Sequence, residues 1–587
     1  TINMTAQANF TNLYNKVPFL KKVISGGRKG RTGRKDMRGR GGKPTNPAAK
    51  KSKDNPKIKA LEKKIKELEA SIKSLKGKRD KESKMKILEL KKQLEKIKKK
   101  CERKKKREAR KLAREKKRKG KVNPVVGFFA RMLMTVRNVS GTYAVTNGTM
   151  LPGYNQESRV LGMNGSSFEL AGFAFGRQSY DIWGQENGYN IASESSSRDW
   201  LVQNENLNTA YTTTQTNNLN MRANLQPFKD FVVELTLNRN YSTNSSEFYR
   251  WSSTNQNFES QSRVETATLT YSTLSIGSAF DMLGADYQSQ TFTNLLGNRD
   301  NVSVLVGAQN PNANLLPSGY YSGYSSSQQD VVLGSFLTAY TSNPVNDRTI
   351  NPVKNTPLPN WTINYNGLTK FPFARKLVRN FVVRHGYSST ISVNGMQTNL
   401  NAEFDQNGYA VAQDINNNFI SGMQIQNVVI TERFSPLIGF DATWIINKQG
   451  LITKFEYKKD RSATLSLNNN QVTEILGSEI VVGSGYKFAK VKLPFDKIPA
   501  SAVNIRLDFS FRDNVTVIRK IVESTNQATA GQKVVSVKAS ADYNLSKNLT
   551  IQFYYDQVIN TPKIATAYPT GNLSTGLRLR FNLAGVQ

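Results

Sequence analysis

The stretch Val503-Asn504-Ile505-Arg506-Leu507-Asp508-Phe509-Ser510-Phe511-Arg512 alternates apolar and polar side chains without a break. Successive side chains of a β-strand point to opposite faces, so this run spells a strand with one oily side and one wet side. Ile2, Met4, Ala6, Ala8 and Phe10 alternate in the same way with Asn3, Thr5, Gln7, Asn9 and Thr11. So do Leu219, Met221, Ala223 and Leu225 with Asn218, Asn220, Arg222 and Asn224, and Leu549, Ile551, Phe553 and Tyr555 with Thr550, Gln552, Tyr554 and Asp556. Leu577, Leu579, Phe581 and Leu583 against Gly576, Arg578, Arg580 and Asn582 complete the series. The expected fold class is all-β, built from antiparallel two-faced strands.

Two architectures write this pattern. In a soluble sandwich or barrel the oily side faces a core; in a large antiparallel transmembrane β-barrel it faces lipid. Membrane strands need about 9 to 11 residues, against five or six in an average globular strand, and the runs here reach the longer value. The opposite faces carry Asn, Gln, Thr, Ser, Arg and Asp, which suits an aqueous lumen; a solvated outer face of a sandwich would tolerate them too. On the membrane reading, Arg506, Asp508, Arg512, Lys538, Asp542, Arg578 and Arg580 are lumen-facing, while Leu577, Leu579 and Phe581 are lipid-facing. Loops are expected at Asp513 to Gly531 and Gln557 to Leu573, with a short turn at Asn544 to Asn548 between them, the alternation of an up-and-down barrel. Asn298 to Asp330, rich in Ser, Asn, Gly and Tyr, reads as another long loop sitting in water.

Lys16-Val17-Pro18-Phe19-Leu20-Lys21-Lys22 recurs as Lys370-Phe371-Pro372-Phe373-Ala374-Arg375-Lys376 and more loosely as Lys492-Leu493-Pro494-Phe495-Asp496-Lys497. Proline ends a ladder, phenylalanine suits an interfacial belt and lysine reaches phosphate or water, though a turn plug in a soluble sheet would read alike. The first strand opens with no partner before it, and an edge of that kind cannot lie in hydrocarbon with its amides unpaired. The expectation is a longer barrel polypeptide of which these residues are the C-terminal part.

The chain holds 83 Lys+Arg against 44 Asp+Glu in 587 residues, a net charge of +39. That charge is concentrated. Arg28 to Lys121 holds 42 basic and 12 acidic residues, +30, and the remainder 41 − 32 = +9. No run of about 18 apolar residues is present, the longest candidate, Val125 to Val136, being broken by Arg131. The start, Thr1-Ile2-Asn3-Met4, has neither the basic n-region nor the apolar h-region of a signal peptide. The chain divides into 1–25, a barrel strand and periplasmic turn; 26–122, a Lys/Arg-rich insert; and 123–587, transmembrane strands with long polar loops. Within the insert, Gly26 to Lys43 has nothing to bury and reads as flexible. Ile58, Leu61, Ile65, Leu68, Ile72 and Leu75 then fall at spacings of three and four, as do Ile87, Leu90, Leu94, Ile97 and Cys101. With Gly77 to Ser83 as a bend, these seams predict an inserted basic helical hairpin, with Cys101 as a small apolar seam residue.

Chemistry-bearing constellations are sparse. A single cysteine rules out an internal disulfide, and with a single histidine it leaves no ligand set for a Cys/His zinc site. His385 lies in the strand candidate Phe381 to Ile391, and no Gly-x-Ser-x-Gly elbow supplies a nucleophile. Asp405-Gln406-Asn407-Gly408 starts like a calcium loop but has Asn416 where the bidentate Glu belongs, so it reads as a turn. No Walker loop or dinucleotide-binding glycine phrase appears. The expectation is a non-enzyme, with no catalytic, metal or cofactor-binding residues and no cofactor. For the basic segment Lys98 to Arg118, three readings stay open: a solvated spacer or docking arm, contact with anionic lipid, lipopolysaccharide or the peptidoglycan region, and nucleic acid. The last lacks aromatic residues to stack on bases.

Several phrases together resemble one family. Leu151-Pro152-Gly153-Tyr154, Gly172-Phe173-Ala174-Phe175-Gly176, Leu225-Gln226-Pro227-Phe228 and Asn238-Arg239-Asn240-Tyr241 are similar to the C-terminal region of the SprA/Sov family, the outer-membrane translocon of the Bacteroidetes type IX secretion system. Pro357-Leu358-Pro359-Asn360-Trp361, His385-Gly386-Tyr387, Phe434-Ser435-Pro436-Leu437-Ile438-Gly439 and Phe455-Glu456-Tyr457-Lys458-Lys459 resemble it too. So do Leu467-Asn468-Asn469-Asn470-Gln471, Arg512-Asp513-Asn514 and Ala530-Gly531-Gln532-Lys533. The resemblance covers Thr1 to Gln587 except the basic insert, which departs from the polar, variable linker expected there.

The resemblance implies part of a very large single-chain barrel in the bacterial outer membrane, passing folded cargo from periplasm to cell surface. Its implied partners are secreted cargo with a C-terminal secretion domain, a lateral-gate shuttle protein, a periplasmic plug protein, and outer-membrane lipid with lipopolysaccharide; in gliding bacteria such translocons export adhesins. The insert follows the short-turn side and is expected in the periplasm. The alternative reading is an outer-membrane ligand uptake receptor barrel, which would add a plug domain; a soluble nucleic-acid-binding β-protein with a basic arm is the third.

Overall fold

The computed structural model describes residues 1–17, 20, 56–75, 87–104, 107, 134–157, 178, 189–446, 449–492, 494, 500–546 and 548–581. They belong to two units, Thr1–Asn9 with Thr135–Gln587, and Phe10–Met134.

The first unit is one antiparallel sheet of 15 strands. These are β1 (Ile2–Asn9), β2 (Val136–Met150), β3 (Tyr211–Leu225), β4 (Phe231–Ser252), β5 (Asn257–Ser272), β6 (Asn360–Tyr365), β7 (Val378–Thr398) and β8 (Met423–Gln424). They continue as β9 (Asn427–Ile446), β10 (Gln449–Ser466), β11 (Gln471–Val491), β12 (Ser501–Lys520), β13 (Thr525–Asn544), β14 (Leu549–Pro562) and β15 (Thr570–Phe581). Neighbours follow chain order from β1 at one end to β15 at the other, with the short β8 beside β7. Among the described residues no helix is long and apolar enough to cross a membrane.

The strands are longer than the alternation predicts. β4 has 22 residues, β7 21, and β12 and β13 20 each. The expected loops Asp513 to Gly531 and Gln557 to Leu573 are therefore corrected. β12 runs on to Lys520 and β13 starts at Thr525; β14 reaches Pro562 and β15 starts at Thr570. The backbone ladder does not need apolar side chains, so strands continue past Asp513 and Lys533, where the oily row stops and sequence reading stops with it.

β5 and β6 share one strand's place. Between β4 and β7, β5 pairs with 239–252 of β4 and β6 with 231–236. Residues 273–359 leave the sheet between them, and the seam is closed by the Leu358 N–H donating to the Ser272 carbonyl at 2.8 Å and the Ser389 N–H donating to Asn360 Oδ1 at 2.9 Å. That departing segment contains much of what reads as a water-borne loop. Asn298 to Asp330 instead begins inside one helix and ends inside another. In chain order, the α-helices among the described residues are α1 (Phe10–Lys16), α2 (Pro56–Leu75), α3 (residues 87–104), α4 (Ile191–Ser197), α5 (Ile276–Ala279), α6 (Gln290–Gly307), α7 (Gln329–Thr341) and α8 (Ala374–Leu377).

Ser289 Oγ caps α6 by accepting from the Phe292 N–H at 3.1 Å, and Gln328 Oε1 caps α7 by accepting from the Asp330 and Val331 N–H groups at 2.6 and 3.1 Å. Such caps satisfy amides that have no partner in the first turn. Val331 through Thr341 is buried on every side, as a helix without a polar stripe must be. Phe336, Leu337 and Tyr340 pack with Phe292 and Leu295 of α6 onto Leu269, Tyr271, Ile391, Val393, Ile430 and Leu465 of the sheet. Gly334 allows the approach: a Cβ there would stand 2.8 Å from Val302 Cγ1.

In the second unit, α2 and α3 carry the predicted seams. Ile72 and Cys101 are buried and Lys98 Nζ bridges to Glu69 Oε1 at 2.6 Å. The Gly26 to Lys43 stretch, the Gly77 to Ser83 bend, Pro18, Phe19 and most of Lys105 to Arg118 lie outside the described residues.

Phe336 is fully buried in the principal core. Phe336→Ala is expected to cost about 3–5 kcal/mol, through lost burial and the cavity left behind. Hydrogen exchange of the α7 amides checks it: protection in α6 and α7 should fall by orders of magnitude, while that of β14 and β15 stays unchanged.

Candidate functional site

Directly opposed residues of an antiparallel pair project to the same face, so the register sorts every side chain. One row runs Ile505–Ala541–Phe553–Leu577 across β12 to β15, and the next runs Val503–Tyr543–Ile551–Leu579. Phe581 joins this side opposite Leu549. The other parity gives Asn504–Asp542–Gln552–Arg578 and Asp508–Lys538–Asp556–Ser574, with Arg506 opposite Ser540 and Arg512 opposite Val534. Arg580, opposite Thr550, lies on that side as well. The register thus brings Arg506, Asp508, Arg512, Lys538, Asp542, Arg578 and Arg580 to one face and Leu577, Leu579 and Phe581 to the opposite one.

The polar face carries a belt of alternating charge. Arg384 pairs with Asp441; Lys454 and Lys458 reach Glu456 at 3.1 and 3.5 Å; Lys458 reaches Glu479 at 3.3 Å; and Arg512 stands opposite Glu479. Further on, Lys538 lies 3.8 Å from Asp556. Glycines make room for the charged side chains. A Cβ on Gly477 would meet Asp460 Oδ2 at 2.7 Å, and one on Gly483 would meet Asp508 Oδ1 at 2.6 Å. Across β1 to β4 the same face is mostly uncharged: Thr5–Thr142–Asn220–Asn238 is a typical row.

The apolar face has two zones. Toward the end where β12 begins, it is oily and open: Leu577, Leu579 and Phe581 are 72, 67 and 61% exposed, and Val482, Ile505, Leu507, Phe509 and Phe553 are exposed beside them. Phe381, Phe440 and Phe455 stack across β7, β9 and β10 at 5.7 and 5.3 Å. Then, on the same parity, charge appears: Arg239 on β4, Glu432 on β9, Lys459 and Arg461 on β10, Asp513 on β12 and Lys533 on β13. Val503 to Phe511 spans about 27 Å at ~3.4 Å per residue.

Beyond that boundary, in the middle of the sheet, 273–359 covers the apolar face. Two ion pairs are sealed beneath it. Arg461 meets Glu432 at 3.2 Å and donates to the Ser278 carbonyl and hydroxyl at 2.9 and 2.7 Å, while Ser275 and Tyr387 hydroxyls donate to Glu432 at 2.7 and 2.8 Å. Arg519 meets Glu474 at 2.6 Å and donates to the Tyr287 carbonyl at 2.7 Å; Tyr340 also donates to Glu474. Burial, then the Glu474 carboxylate, pushes the Tyr340 phenol well above its ordinary range. These residues escape the sequence reading, yet a signal exists. Each occupies the oily parity of its strand, and a charge in that row cannot face hydrocarbon.

His385 lies in β7 with Nδ1 2.7 Å from the Leu437 carbonyl, among the rings of Trp361 and Phe434. Asp405 Oδ1 accepts from the Asn407 and Tyr409 N–H groups at 2.8 and 2.9 Å, the turn that its sequence predicts.

No family model matches the chain, and no curated protein matches it. Among solved structures, a similarity is found to the ferric-catecholate import receptor Fiu from E. coli K12 in its closed form, at 9% identity over 73% of this chain and 55% of the receptor, with a TM-score of 0.17. The chain therefore matches about half the length of that receptor, and a superposition so loose assigns neither fold nor activity.

Asp281, just before α6, accepts from the Thr291 N–H at 2.7 Å. Burial works to raise its pKa, but the hydrogen bonds from Thr291, Gln290 and Ser289 outweigh it and hold the carboxyl below its ordinary 3.8. A depressed carboxylate lends stability that is full above the unfolded value and is lost as pH falls through the folded one. Protection of the α6 amides, corrected for intrinsic exchange, should drop as the solution is acidified below 3.8, and Asp281→Asn should flatten that dependence.

Proposed function

We propose that this chain forms part of the wall of a transmembrane β-barrel in a bacterial outer membrane. The observation that carries the reading is the apolar band: on β12 and β15 the oily parity lies open at Ile505, Leu507, Phe509, Leu577, Leu579 and Phe581, and on β9 and β10 it is mostly half-buried. On β4, β9, β10, β12 and β13 it ends in charge, on β12 after Val503 to Phe511, about the length a membrane strand needs. Burying a Leu or Phe is worth ~1.5–3 kcal/mol, and a row of them left in water across neighbouring strands would exceed any patch a soluble monomer shows. Lipid relieves that cost. The opposite face, with its paired charges and amide rows, suits an aqueous interior.

Within this wall the resemblance supplies the finer reading: a protein-conducting translocon of the type IX secretion system, without catalytic residues of its own. Folded cargo with a C-terminal secretion domain would pass along the polar face from periplasm to surface. A lateral-gate shuttle protein and a periplasmic plug would be its partners, and the basic insert would lie in the periplasm. A cell lacking this chain should retain such cargo in the periplasm; undisturbed export with lost ligand uptake would replace the translocon by a receptor barrel.

The face assignment has its own test. Leu579→Arg should cost about 2–4 kcal/mol if the side chain meets the bilayer midplane, and less near an interface, whereas Arg578→Leu on the polar face should cost far less. Outer-membrane assembly of the two variants, followed by membrane fractionation, reads the difference; equal tolerance would reverse the assignment.

A further inference from the structure

Helix α3 carries two stripes. Leu90, Leu94, Ile97 and Cys101, at i, i+4, i+7 and i+11, form its seam, with Cys101 buried. Lys92, Lys96, Lys99, Lys100 and Arg103, at i, i+4, i+7, i+8 and i+11, are all exposed. At ~100° per residue the second stripe is centred about 150° from the first. The hairpin needs only the seam to form. The basic stripe is a burden to it, because like charges at i,i+4, here 92/96, 96/100 and 99/103, repel one another. One carboxylate, Glu95, pairs with Lys99 at 2.8 Å. A layer of negative charge laid against the stripe would remove that repulsion and add an attraction for each cation.

The character of the stripe narrows the partner. Four of its five cations are lysines, compact point charges without the planar fork that reads carboxylates or base edges. Residues 87–104 contain no aromatic side chain to stack on a base. The chain enters the insert after Asn9 and returns before Val136, and Asn9 and Asn138 are opposed rungs of the β1–β2 ladder. Both attachment points therefore belong to the sheet end at which the apolar band begins.

We propose that the lysine stripe of α3 binds the phosphodiester headgroups of anionic phospholipid at the surface of the membrane that the sheet spans, an inference that rests on the membrane reading above. The full chain is mixed with vesicles of phosphatidylcholine alone, or of phosphatidylcholine with about one-third phosphatidylglycerol. Flotation is scored, and amine-reactive labelling is read at Lys96, Lys99 and Lys100 by mass spectrometry. Flotation is expected with both vesicles. Labelling should fall at least threefold only with phosphatidylglycerol, recover at about 0.5 M salt, and weaken in its lipid dependence in Lys92→Gln/Arg103→Gln. Flotation with unchanged labelling overturns this inference alone, and absence of flotation overturns the membrane reading with it. A third arm adds a short DNA duplex to the phosphatidylcholine sample; protection there equal to that with phosphatidylglycerol, at equal phosphate, overturns the lipid assignment in favour of nucleic acid.

Discussion

Period-two alternation is the constraint on which the rest of the structure depends. Moving one strand by one residue against its neighbour would carry Leu577, Leu579 and Phe581 to the polar side and Arg578 and Arg580 to the oily side. The register is fixed because both faces are costly to exchange. Along β10 to β12, the ladder pairs Lys458 with Glu479 and Glu479 with Arg512 on one face while Tyr457, Ile480 and Phe511 align on the other. Backbone hydrogen bonding holds the strands together, and side-chain chemistry chooses which of two mirror assignments they adopt.

The longest strands, at 21 and 22 residues, run well past the open stretch of the oily parity, and the fold covers the excess with protein. The oily parity stays partly apolar beyond the band, at Val428, Ile430, Ala463, Leu465, Val472, Val515 and Val517, all buried. The helices of 273–359 cover much of that row. Sealing Arg461 with Glu432 and Arg519 with Glu474 in the same interface adds little net stability, because desolvation offsets most of the attraction. What the pairs supply is placement: each arginine also fixes a backbone carbonyl of the covering segment, Ser278 in one case and Tyr287 in the other.

Legibility in the sequence follows from this division. Where alternation is unbroken, as at Val503 to Arg512 or Leu577 to Phe581, it names the strand and separates its residues onto the two faces that the register gives. Where the helices of 273–359 cover the sheet, the pattern loses its period. Asp513 and Lys533 interrupt the oily row without interrupting the ladder, so strand ends were set too early. Helix α7 is buried all round and has no polar stripe, which leaves Asn298 to Asp330 looking like a loop. The hairpin seams at Ile72 and Cys101 were legible because a heptad repeat is local. The ion pairs under the helices were not, since Arg519 and Glu474 lie far apart in the chain and meet only through β11 and β12.

The interrupted strand has an architectural corollary. Ser272 and Leu358, where the chain departs and returns, are hydrogen-bonded neighbours, and β5 and β6 keep a common parity on both sides of the junction. Everything between them enters and leaves at a single joint in the sheet. The Leu358–Ser272 hydrogen bond closes the seam, so a long excursion leaves and returns without shifting a rung of the host sheet. One face of the sheet can thus carry a folded excursion that shields its own buried charges, while strand order on either side stays unbroken.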